Sequence, residues 1–239
     1  AGVTWGNGQF LIVGAGGTVL AGNGTTWDPK DLNLATTPNL EDVAWLGNGY
    51  IAVGNSGAII TSDITGNDWT LQDHPDNGDT NLTLNGVASN GSLIVVVGTN
   101  GTILTSADNG QTWLTQSSNT NNNLNDISWD GNQFGVVGSN DTILTSTDGV
   151  TWTSHIPGTP DITFVAASQW DSSLPVNPVL GAVGSSGTFV VSPDATTGFS
   201  IPTGTDQQLS GMTWVDDGMN SPYFVMVGND GTVLTSQLQ

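Results

Sequence analysis

The stretch Asp126-Ile-Ser-Trp129, Phe134-Gly-Val-Val-Gly138, Thr142-Ile-Leu-Thr-Ser146, Asp148-Gly-Val-Thr-Trp152 decides the fold. It holds three short runs of apolar and β-branched residues, separated by Gly, Asn, Asp and Ser, and a Thr-Trp pair that opens a fourth. Such runs read as strands, and such punctuation as turns. The preceding stretch repeats the wording: Leu93-Ile-Val-Val-Val-Gly98, Thr102-Ile-Leu-Thr-Ser106, Asp108-Asn-Gly-Gln-Thr-Trp113. A Val-Gly pair marks each copy and ends at Gly14, Gly54, Gly98, Gly138, Gly184 and Gly228, with spacings of 40, 44, 40, 46 and 44 residues.

A period of this length, with four strands per period, is the signature of a β-propeller. The second strands (Phe10–Val13, Leu93–Val97, Phe224–Val227) are apolar on both faces. A half-solvated sheet would alternate, so each sheet must be sandwiched between two others. The expected architecture is all-β: a six-bladed β-propeller of four-stranded antiparallel blades in a single domain over 1–239. The repeats fall at about 2–39, 40–83, 84–123, 124–161, 162–208 and 209–239. The last blade lacks a Thr-Trp segment and is expected to have three strands. The segments near 43–45, 87–89 and 127–129 are expected innermost. A monomer is expected; the alternative is β-augmentation on the free edge of the last blade.

Composition excludes several functions. The chain has 21 Asp and Glu against one Lys and no Arg, a net charge of −20. It cannot neutralise phosphates, so nucleic acid is excluded as a partner. No apolar run is long enough to insert in a membrane as a helix. Without Cys there is neither a disulfide framework nor a thiolate metal site. The start at Ala1 suggests a processed mature chain, and the near-absence of Lys and Arg leaves trypsin-like proteases almost nothing to cut. The latter suits a secreted or cell-surface protein, such as an adhesin or envelope component.

Ser106-Ala-Asp108-Asn-Gly110-Gln-Thr-Trp113 resembles the Asp-box of BNR/Asp-box repeat propellers. Ser146-Thr-Asp148-Gly149-Val-Thr-Trp152 is a copy one residue shorter. Ser62-Asp63…Trp69, Ser192-Pro-Asp194…Phe199 and Gly22-Asn23…Trp27 are degenerate copies in register. The surrounding wording is also similar to photosystem II stability/assembly-factor propellers and secreted bacterial repeat proteins. The resemblance implies turns on the face opposite the usual ligand site, and a fold shared by sialidases, other glycoside hydrolases, sorting receptors and non-catalytic scaffolds. Fold therefore does not name function. The motif also has a physical reading. The Asp side chain accepts hydrogen bonds from nearby backbone N–H groups, the Gly takes positive φ, and the Trp packs back into the blade.

Trp5, Trp45, Trp129 and Trp214 share one register position and Trp27, Trp69, Trp113 and Trp152 another; repeated aromatics at fixed phase read as core. Trp170 breaks phase, and beside Asp171 it suits stacking on a sugar ring. Sialidase chemistry fails for want of arginine. Another hydrolase would need two carboxylates flanking the bond. Glu41, Asp42 and Asp126, just ahead of innermost strands, are the candidates, with strand capping as the alternative. The corresponding places in the other repeats are Gly2, Gly86, Phe164 and Gly211. His74 and His155 read as loop residues. No catalytic residue and no cofactor is assigned, except that Asp73, Asp76, Asn77 and Asp79 offer oxygens around a Gly turn, which suits Ca²⁺. The expected function is a non-catalytic binding or structural module for a glycan or protein; the alternative is a carbohydrate-active hydrolase using Asp pairs at the channel mouth.

Overall fold

The structure, a computed structural model, describes residues 1–76, 78–155, 164–168, 180–192, 199–215 and 223–237. It divides into two compact units, Ala1–Asn121 and Asn122–Gln239.

The first unit holds three four-stranded antiparallel sheets, each a meander. The first comprises β1 (Gly2–Gly6), β2 (Gln9–Gly14), β3 (Thr18–Gly22) and β4 (Trp27–Pro29). The second comprises β5 (Leu40–Trp45), β6 (Tyr50–Gly54), β7 (Ile59–Ser62) and β8 (Trp69–Leu71). The third comprises β9 (Leu84–Ser89), β10 (Ile94–Gly98), β11 (Ile103–Ser106) and β12 (Leu114–Gln116). In the second unit β13 (Leu124–Trp129), β14 (Phe134–Gly138), β15 (Ile143–Ser146) and β16 (Thr153–His155) form one sheet. A second consists of β17 (Phe164–Ser168), β18 (Leu180–Gly184), β19 (Phe189–Ser192) and β20 (Phe199–Ser200). The last repeat gives three strands, β21 (Leu209–Val215), β22 (Tyr223–Gly228) and β23 (Val233–Gln237). Among the described residues there are thus five complete four-stranded blades rather than six, and the final sheet shows three strands.

Second strands are the cores of their sheets. All five residues of β6, β10 and β14 are buried. Because side chains alternate along a strand, β6 feeds two cores at once. Tyr50 and Ala52 face the first sheet, packing with Leu11, Val13 and Val19; Ile51 and Val53 face the third, packing with Leu84, Val96 and Trp113. The second unit repeats the arrangement, with Val183, Phe189 and Val191 against Leu209, Phe224 and Met226. The first strands of successive sheets lie side by side within each unit: β1 with β5 and β5 with β9, then β13 with β17 and β17 with β21. This agrees with the expected placing of 43–45 and 87–89 on the inner strands of the first unit.

The turns between second and third strands follow their residues. Asn100 (φ 57°, ψ 30°) and Gly101 (φ 71°) are both left-handed, and Thr102 N–H donates to the Thr99 carbonyl at 3.1 Å. Two consecutive positive φ values define a type I′ turn, whose twist matches that of the strands it joins. A Cβ on Gly101 would stand 2.0 Å from the Thr120 carbonyl oxygen, so only glycine fits.

Each inner strand after the first also carries a β-bulge. Leu40, Leu84, Leu124, Phe164 and Leu209 pair with the Gly that ends the second strand, and the register then skips a residue. Two expectations change here. Glu41, Asp42 and Asp126 lie within strands, not ahead of them, and Glu41 is the bulge residue. In the fifth repeat Ala166, not Phe164, occupies the place of Asp42, since Ala166 pairs with Val183. The insertion in that repeat shifts any count made back from Gly184.

Candidate functional site

Asp42 is the carboxylate that the fold treats most unusually. It follows the bulge in β5, between β1 and β9. Its Oδ2 accepts the Val87 N–H of β9 at 2.9 Å, clipping two inner strands together. On the other side stands Gly2, where a Cβ would meet Asp42 Oδ1 at 2.7 Å. The side chain is half-buried, and burial pushes its carboxyl up to about 6; the Val87 and Val43 N–H groups and the N-terminal charge pull the other way without cancelling it. Glu41 lies beside the same N-terminal charge, with Oε2 3.6 Å from the Ala1 amino group. Asp126 holds the matching place in the second unit, where its Oδ1 accepts its neighbour's N–H, from Ile127, at 2.8 Å.

The Ser106–Trp113 and Ser146–Trp152 segments build turns. Asp108 Oδ1 accepts N–H bonds from Gln111 (3.1 Å) and Thr112 (2.9 Å) and the Ser106 hydroxyl (2.8 Å). Gly110 N–H returns a bond to Ser106 Oγ at 2.9 Å, and Gly110, at φ 85°, offers its carbonyl to Trp113 Nε1–H at 3.0 Å. The shorter copy closes identically around Asp148, with Val150 and Thr151 N–H at 2.8 and 2.7 Å and Trp152 Nε1–H on the Gly149 carbonyl at 3.2 Å. Trp69 donates to the Gly66 carbonyl at 2.9 Å in the degenerate copy around Asp63. The Thr112 hydroxyl and N–H hold Asp108 down at about 2, and the Thr151 and Val150 N–H groups do the same for Asp148. A carboxylate so committed to its own turn is structural.

Acid stability follows from this. A depressed folded pKa adds stability above the unfolded value near 4, which is lost as pH falls toward 2. We expect the urea midpoint of the native chain to drop between pH 4 and 2. The drop should be smaller in Asp108→Asn/Asp148→Asn, and an equal drop in both proteins would refute the assignment.

The acidic loop is described at Asp73, Asp76 and Asp79. Asp79 Oδ1 accepts the Asn81 N–H at 2.9 Å, and among the described residues no three His, Asp or Glu side chains are grouped to hold a metal. Asn77 lies outside the described residues. Asp76 and Asp79 instead line an open cleft of about 440 Å³ with Asn100, Thr102, Thr115 and Gln116. Trp170 and Asp171 of the sugar-stacking expectation, with Asp194, also lie outside the described residues.

Sequence reasoning missed two features. His74 is not a solvated loop residue: it is buried, with Nε2 2.7 Å from the Gly57 carbonyl. The turn at Ser56 and Gly57 leaves that carbonyl facing inward, and a donor must reach it. Nor are the first-strand tryptophans plain core. Each pairs with an aromatic on the second strand (Trp5 with Phe10, Trp45 with Tyr50, Trp129 with Phe134, Trp214 with Phe224), with ring centres 4.5–4.9 Å apart. Trp5 is exposed, and the other three are partly so. The signal was legible as two aromatics flanking a short first hairpin.

No family model and no curated relative matches the chain. Solved structures do. YCF48 from Cyanidioschyzon merolae superposes with a TM-score of 0.73 at 15% identity, over 98% of this chain and 81% of that one. YCF48 bound to D1 peptide gives 0.70 at 15%, over 100% and 77%. The β-propeller domain of Cps50 (Swd1) from Myceliophteria thermophila gives 0.72 at 8%, over 100% and 82%. The chain is therefore a β-propeller of four-stranded antiparallel blades. Likeness at these identities shows the fold alone.

Proposed function

We propose that this propeller is a non-catalytic binding module, with six blades of which the last has three strands, and that it works outside the cytoplasm on a polypeptide segment bearing positive charge. The observation that carries this reading is the charge: −20, with a single lysine already paired to Asp28 at 2.8 Å. A surface of this sign attracts cationic partners and repels anionic ones. The carboxylates set in the fold support the binding reading over hydrolysis. Asp108 and Asp148 hold their own turns and Asp42 joins two strands, structural uses that a pair of catalytic carboxylates does not need. A propeller of the same fold, YCF48, has been solved with a peptide bound, so the fold accommodates such a ligand. The test sets the purified chain against peptides of graded net charge, a glycan array and a glycoside hydrolase screen. Cationic peptides should be retained, and raising NaCl from 50 to 300 mM should weaken retention several-fold. Retention indifferent to peptide charge, or turnover of a glycan lost in Asp42→Asn, would overturn it.

A further inference from the structure

The second sheet is flanked on both faces by sheets of its own unit, so what its loops meet is settled within residues 1–121. Two clefts open where its turns and the linkers between sheets come together. The first, of about 470 Å³, is lined by the apolar Pro38, Ala58 and Leu71 (51% exposed) and the polar Asn39, Asn55 and Ser56. The second is the cleft of about 440 Å³ at Asp76 and Asp79, whose lining also includes Leu82, Asn100 and Gln116. The register makes the two clefts equivalents one sheet apart. Leu71 pairs with Ile60 as Thr115 pairs with Leu104, and each cleft takes in the turn that follows a second strand. Both are of the size that holds a ligand.

The clefts share a wall. A Cβ on Gly57, in the lining of the first, would stand 3.1 Å from the His74 ring and 3.3 Å from Leu82, in the lining of the second. That wall carries two orphaned polar atoms. His74 is 7% exposed, and its Nδ1 has no hydrogen-bond partner; nor has the buried Oδ1 of Asn55, two residues before Gly57 in the same turn. Both atoms are acceptors. The Gly57 carbonyl can only accept, so Nε2 of His74, 2.7 Å away, carries the hydrogen, and Nδ1 of the neutral ring keeps its lone pair. The second cleft adds the carboxylates of Asp76 and Asp79, of which one Asp79 oxygen takes the Asn81 N–H. The chain's own cations are engaged elsewhere, Lys30 with Asp28 and the Ala1 amino group with Glu41. What this region lacks is therefore hydrogen-bond donors, above all charged ones, and buried acceptors left unmet are costly.

We propose that the adjoining clefts seat an arginine-bearing segment of a partner polypeptide, with an apolar side chain on Leu71 and Pro38 and a guanidinium beside Asp76 and Asp79. The site rests on the reading that this chain binds a cationic polypeptide; it gives that reading a place and a preferred residue. Charge complementarity selects the occupant: no cationic side chain lines either cleft, so an anionic ligand finds no counter-charge there. Arginine is preferred to lysine because its planar fork carries five donors against three and is more weakly hydrated. Asn39, Ser56, Asn100 and Gln116 are neutral groups that both donate and accept, which suits the amides of an extended backbone.

The test is calorimetric titration of the full chain at 50 mM NaCl with three short Gly-Ser peptides, each carrying one Leu and either two Arg, two Lys or two Glu. The Arg peptide should bind most tightly, the Lys peptide about three- to ten-fold more weakly, and the Glu peptide not at all. Asp76→Asn/Asp79→Asn keeps an oxygen for the Asn81 N–H and should weaken binding of the Arg peptide about ten-fold or more. Leu71→Ser, at an exposed position, should weaken it about three-fold. Asp206→Asn/Asp230→Asn removes the same charge from the second unit and should change the Kd by less than about two-fold. By 15N NMR the Arg peptide should shift the ring nitrogens of His74 and leave those of His155, the other histidine, in place, a readout that depends on no variant's folding. Equal weakening by the two double variants, or unmoved His74 signals with the peptide bound, would overturn this site while leaving cationic binding by the chain intact. Failure of the native chain to bind either cationic peptide would overturn both.

Discussion

Trp113→Ala is expected to destabilise the chain by about 3–5 kcal/mol, the usual cost of deleting a buried large aromatic. Trp113 is buried between the second and third sheets with Ile51, Val53, Leu84 and Val96, and its indole N–H closes the Asp108 turn on the Gly110 carbonyl. Its loss opens a cavity and leaves that turn without its lock. Trp27→Ala is the internal control. Trp27 stands at the same register position but on an exposed face, so its truncation should cost less than about 1 kcal/mol. Urea unfolding of the two variants checks the contrast. Equal losses would show that register position, not burial between sheets, sets the contribution of these tryptophans.

Asp42→Asn should stabilise the chain at pH 7 by about 1–2 kcal/mol. The sign follows from the direction of the shift. A carboxyl whose folded pKa is raised from 3.8 to about 6 binds its proton more tightly in the native state. It opposes folding above pH 6, and the penalty disappears as pH falls through 6 to 4. Two pK units correspond to roughly 2.7 kcal/mol, discounted here because the side chain keeps some contact with water. Asn retains an oxygen for the Val87 N–H, so the strand clip survives while the charge does not. With the turn aspartates acting in the opposite sense below pH 4, the native chain should be most stable near pH 4. Calorimetry from pH 3 to 7.5 would show stability declining from pH 4 to 6 in the native chain and a flatter profile in the variant. Parallel profiles would mean that Asp42 titrates in the folded chain much as it does in the unfolded one.

These two results bear on the site in different ways. The Trp113 contrast tests what holds the blades together. The Asp42 profile tests whether an inner-strand carboxylate is kept as a charge against the cost of burial, as a binding role for a cationic segment would require, or merely tolerated as a strand clip.

The repeats, their strand content and the turns around Asp108 and Asp148 were legible in the chain, because each is made by residues that touch near neighbours. The Asp108 bonds reach no farther than Thr112, and the Asn100-Gly101 turn spans four residues. Local chemistry of that range is written in order along the sequence. Tertiary structure decided what depends on distant residues. Asp42 became a clip because Val87, 45 positions away, presents its N–H there, and Gly2 leaves it room. His74 became buried because a carbonyl 17 positions back needed a donor. The same aromatic phase holds Trp69 buried and Trp27 40% exposed. Periodicity specifies which side of a strand is apolar; only packing between sheets settles whether that side meets protein or water.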